Sequence, residues 1–75
     1  MSRLPILSGD EVIKILTKAG FLSVRQKGSH ILMKGVYKNS LRIFPVPRHK
    51  ELKKGTLAGV LRQAGMTVEE FREFI

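Results

Sequence analysis

FLSVRQKGSHILMKGVYKNSLRIFPVP, residues 21–47, decides the fold. It reads as three short strands punctuated by turn signals. Residues 21–26 alternate, with Leu22 and Val24 on one face and Ser23 and Arg25 on the other. Lys27-Gly28-Ser29 is a turn. Residues 30–34 are the second strand and residues 35–39 the second turn. Residues 40–44 are the third strand, and Pro45 and Pro47 end it, since proline cannot continue a ladder. Turns this short join antiparallel neighbours, so the three strands form a meander.

Helical patterns lie on both sides. Ser8 and Glu11 fit a capping box, and Val12, Ile15, Leu16 and Ala19 then recur on one helical face before Gly20. A helix is expected over 9–19. Downstream, residues 48–54 form a polar connection. Thr56 is the expected cap of a second helix, in which Leu57, Val60, Leu61 and Ala64 repeat the same spacing before Gly65. Thr67 and Glu70 make another capping box, and Val68, Phe71 and Ile75 line a short last helix. The order is α-β-β-β-α-α. Apolar helix faces on one face of a three-stranded antiparallel sheet make a two-layer α+β domain. Gly59 stands inside the second helix at a cost of about 1 kcal/mol relative to alanine. It is there for close packing or is tolerated.

The 75 residues suit one domain, 1–75, with one small core. There is no cysteine, hence no disulfide and no thiolate metal site. With no secretory apolar segment, a cytoplasmic setting is the simplest expectation. No apolar run approaches the ~18 residues of a membrane span. Charge is more telling. Between Arg25 and Lys54 stand nine cations and one acid, Glu51, equal to the whole net charge of +8. A field concentrated in this way attracts a polyanion such as nucleic acid, an anionic membrane surface or an acidic protein. A merely solvated surface is the plainer alternative.

SGDEVIKILTKAGF (8–21), QKGSH (26–30), FPVPRHKELKKGTLAGVLRQAG (44–65) and MTVEEF (66–71) together resemble the HicA toxins of toxin–antitoxin modules. The likeness runs from about Leu4 to Phe71, and its pieces occur in family order. It implies a double-stranded-RNA-binding-like fold. It also implies a ribonuclease that cleaves mRNA, needs no cofactor or metal, and is masked by a HicB-type antitoxin. The family's catalytic histidine falls on His30. Many relatives carry a second histidine directly after it; here Ile31 stands there, which removes a possible accessory base.

The residues allow that chemistry. A base takes the 2′-hydroxyl proton, the oxygen attacks the adjacent phosphorus, and an acid protonates the departing 5′ oxygen. Histidine suits either role because its ordinary pKa of about 6.5 leaves both forms present near neutral pH. Nearby cations stabilise charge on the phosphorus. By strand alternation His30 shares a face with Leu32 and Lys34, while Ile31 and Met33 go to the core. A histidine that only hydrogen-bonds its own turn is the structural alternative. Candidate phosphate contacts are Ser29 in the turn, then Arg25, Lys27, Lys34 and Arg42 on the same sheet face as one another, the last depending on register. Arg48, His49 and Lys50 in the connection join them, as do Lys53 and Lys54 where unpaired N–H groups open the second helix. His49 is a possible second acid–base group, or it shapes the loop. A two-histidine metal site is a poor reading: the chain has no cysteine, and Glu51, two residues after His49, is the one carboxylate near either histidine in sequence. A non-catalytic double-stranded-RNA-binding module and a pure docking protein for an acidic partner are the competing functions.

Overall fold

The computed structural model describes residues 4–75. The elements follow the expected order: α1 (Gly9–Lys18), β1 (Leu22–Lys27), β2 (His30–Tyr37), β3 (Ser40–Pro47), α2 (Lys54–Ala64) and α3 (Val68–Arg72). The strands form one antiparallel sheet in the order β1-β2-β3. α1 packs against β1 and β3, and α2 packs on β3. This is the α+β, double-stranded-RNA-binding-domain-like arrangement.

Both capping boxes form. Ser8 Oγ accepts from the Glu11 amide at 3.1 Å while the Ser8 amide donates to Glu11 Oε1 at 2.8 Å. Thr67 and Glu70 repeat the pair at 3.1 and 2.8 Å. These boxes satisfy N–H groups that helix starts otherwise leave bare. Val12 and Leu16 from α1, Met33 and Phe44 from the sheet, Leu57 and Leu61 from α2 and Phe71 from α3 close one core. Phe21 is buried in it, edge-on to Phe44 at 5.3 Å and tilted against Tyr37 at 5.9 Å.

Several boundaries differ from expectation. The second strand runs on to Tyr37, and the turn is only Lys38-Asn39, with φ of 53° and 63°. Two positive φ values make the I′ hairpin that matches strand twist. Gly35 is therefore inside the strand. An added Cβ there would stand 2.7 Å from Phe21 Cδ1, so the glycine makes room for that ring.

The prolines do not end the third strand, which reaches Pro47. The Arg48 amide donates to the Ser29 carbonyl, which makes 29 and 48 a hydrogen-bonded pair. Pairs alternate along an antiparallel ladder, so Pro45 opposite Leu32 and Pro47 opposite His30 take non-hydrogen-bonded positions. Each ring nitrogen faces the outer edge, where a missing N–H costs no ladder bond.

Leu22 and Val24 do not share a core face. An irregularity between Ser23 and Arg25 leaves Val24 unpaired and returns Arg25 to the side of Leu22. Both apolar side chains are exposed. Thr56 is not the cap of α2. The helix starts three residues earlier than that cap would place it, with Lys53 as N-cap and no side-chain cap. Leu52, buried and bonded through its amide to the Leu7 carbonyl at 2.8 Å, pins the chain just before that start. The last helix ends at Arg72, so Ile75 lies beyond it and is exposed, and Phe74 packs against the core instead.

Candidate active site

The helices cover one face of the sheet. Strand pairing lays out the other in cross-strand rows, because directly opposed residues point to the same side. Lys27, His30 and Pro47 make the first row. Arg25, Leu32 and Pro45 make the second, and Leu22, Lys34 and Ile43 the third. Val36 and Leu41 stand beyond them. The first two rows enclose a groove of about 540 Å³ lined by Arg25, Lys27, His30, Leu32 and Pro45.

Local structure explains how His30 comes to its rim. Lys27 pairs with His30, leaving Gly28-Ser29 as a two-residue turn. Gly28 has φ of 60°, the first central position of a II′ turn. Gln26 Nε2 donates to the Gly28 carbonyl at 3.1 Å, and the Ser29 carbonyl accepts from Arg48. The turn is held from both sides, and His30 emerges from it exposed, as the first residue of β2.

The other candidates divide. Lys34 shares the open face one row beyond the groove, and Ser29 is exposed in the turn. Arg42 does not join them. It pairs with Gly35, on the helical side, where its guanidinium lies against Gly65 and its Nε donates to the Tyr37 carbonyl at 3.2 Å. The two-residue turn sets this register, so Arg42 alternates with Leu41 and Ile43 and takes the side of Phe44. Arg48 reaches away to α1, where Nε and Nη2 hold the Asp10 carboxylate at 2.8 and 3.3 Å. That fork holds the Asp10 carboxyl below its ordinary range and raises the Arg48 guanidinium. His49, Lys50 and Lys53 are exposed in the loop before α2. Lys54 lines a separate groove with Leu4, Pro5, Ile6, Leu52 and Leu57.

Leu32 and Pro45 were missed as site residues. The signal was present: Asn39 in a two-residue turn fixes which residues of β2 and β3 face each other. Among the described residues, no group of three or more His, Asp or Glu could hold a metal ion. No helix among them is long and apolar enough to cross a membrane.

The model of the family described as HicA toxin of bacterial toxin-antitoxin matches residues 9–66. The chain belongs to the HicA toxin family. No curated protein matches it. The matched stretch opens on the first residue of α1 and closes just after α2, so this HicA chain carries the whole groove inside its family region. HicA toxins are the toxin halves of toxin–antitoxin modules, which gives this chain an antitoxin as its partner.

Proposed function

We propose that this HicA chain is an endoribonuclease that cleaves mRNA, with His30 as its acid–base residue. One observation carries the reading: the groove joins His30 to Arg25 and Lys27 on a sheet with no acidic residue. His30 takes the proton from a ribose 2′-hydroxyl. That oxygen bonds to the adjacent phosphorus as the bond from phosphorus to the 5′ oxygen breaks. The products are a 2′,3′-cyclic phosphate and a 5′-hydroxyl end, which gains its proton from solvent. Arg25 and Lys27 stabilise charge developing on the phosphoryl oxygens. Lys34 and Ser29, with His49, Lys50 and Lys53 in the loop and Lys54 at the start of α2, extend the surface along which the phosphate backbone is held. Arg48, paired with Asp10, braces the turn rather than leading in phosphate binding.

The partner is a HicB-type antitoxin that covers this same open face. Leu22, Val36, Leu41 and Ile43 are all more than half exposed there, an apolar patch that RNA does not need and a protein does. The neighbouring cations fit an acidic rim on that partner.

The test is cleavage of mixed single-stranded RNA in EDTA by the unmutated protein and by His30→Ala, with circular dichroism on both. The expected result is cleavage that falls by about 10²–10⁴-fold in a folded His30→Ala protein. Equal rates would sink the role of His30. Binding without cleavage by the unmutated protein would leave a non-catalytic RNA-binding module.

A further inference from the structure

The floor of the groove is apolar, which a purely electrostatic phosphate site does not require. Arg25, Leu32 and Pro45 stand in line across the three strands, a span of about 9–10 Å. Leu32 is half-buried, so its position is set by packing, and Pro45 carries a rigid ring opposite it at the close-spaced kind of pair. The row of Lys27 and His30 lies two residues further along, about 7 Å away. An apolar platform, two cations and an imidazole thus meet in one cleft of a size that holds a small ligand.

We infer that this groove seats one unpaired nucleotide, with its base on the Leu32–Pro45 floor, its phosphate at Arg25 and Lys27, and its ribose beside His30. The inference rests on the ribonuclease reading and adds the class of RNA, single-stranded rather than duplex. In an A-form duplex every base face is stacked on its neighbours, and only edges and backbone are presented. A platform can meet a base face only when the base has left the stack. The fold resembles domains that read duplex RNA by shape, so the groove sets this chain apart from what its architecture alone would suggest. Leu32 and Pro45 are the specificity-determining residues.

Binding is measured on the unmutated protein with short labelled RNAs of equal length. Their riboses carry 2′-fluorine, so that no attacking hydroxyl is present. The probes are one single strand, the same strand annealed to its complement, and the same strand with abasic sites. The single strand should bind at least about tenfold tighter than the duplex, the factor one modest base contact supplies. The abasic strand should fall to the level of the duplex. Leu32→Asn should bring single-strand binding down to that level and leave duplex binding where it was. The comparison among the three probes stands even if that variant fails to fold. Equal binding of single strand and duplex, or of intact and abasic strand, overturns the nucleotide seat.

Cleavage of unmodified strands by the same protein separates the two ideas. Cutting of single strand and duplex at equal rates removes the seat and leaves the ribonuclease reading intact. No cutting, with the binding preference present, removes the ribonuclease reading and leaves the seat.

Discussion

Gly9 and Gly59 are both helical glycines, and their surroundings are opposite. A Cβ on Gly9 would run into the Pro47 carbonyl and stand 2.8 Å from the Arg48 Cα. The Gly9 amide also donates to the His49 carbonyl at 2.8 Å. The start of α1 is thus set directly against the end of β3, where backbone meets backbone and neither side can rotate away. Gly9→Ala should cost about 1–3 kcal/mol, toward the upper end, read from a denaturant melt. Around Gly59 nothing stands within 4 Å of such a Cβ, so close packing is not its purpose. Gly59→Ala should raise stability by up to about 1 kcal/mol in the same melt. Of this pair, sequence marked only Gly59 as unusual. Gly9 was hidden inside a capping box that tolerates many residues at its place.

At the scale of elements, α3 is short and depends on its first turn. Thr67→Ala should cost about 1 kcal/mol, the usual worth of such a cap, and fray α3 before the rest of the protein melts. The Glu70 carboxyl is held below its ordinary 4.5, first by the Thr67 amide and then by Lys38 at 2.9 Å. Asp10 is held below its ordinary 3.8 by Arg48. A depressed carboxylate contributes its stabilisation fully above the unfolded-state value and loses it as pH falls through the folded-state value. Melting temperature should therefore hold steady down to about pH 5 and fall below it, and Glu70→Gln should flatten part of that fall. The helix starts with side-chain caps were legible because the cap acts locally. The start of α2 was not, since Lys53 is no capping residue and a buried Leu52 sets the position from outside the helix.

At the scale of the molecule, the open face divides into an apolar end around Val36 and a cationic end around His30. The two ends invite different partners and can be separated by substitution. Val36→Lys lies beyond both rows of the groove. It should weaken binding of the antitoxin by about tenfold or more in a calorimetric titration. RNA cleavage should stay at the unmutated level. Unchanged antitoxin affinity would move the partner to another surface.

Sequence by itself determined the order of elements, two of the three helix caps, the sign and location of the charge, and the residue that emerges from the Gly28-Ser29 turn. Each of these depends on neighbours within a few positions of the chain. Tertiary structure decided what stands beside His30. The irregularity at Val24 turned Arg25 onto the open face, and the Lys38-Asn39 turn fixed a register that sent Arg42 to the helices. The edge position of β3 let two prolines remain in the ladder and supply part of a floor. Cross-strand neighbours are set by pairing between distant segments, and a shift of one residue sends every side chain to the opposite face.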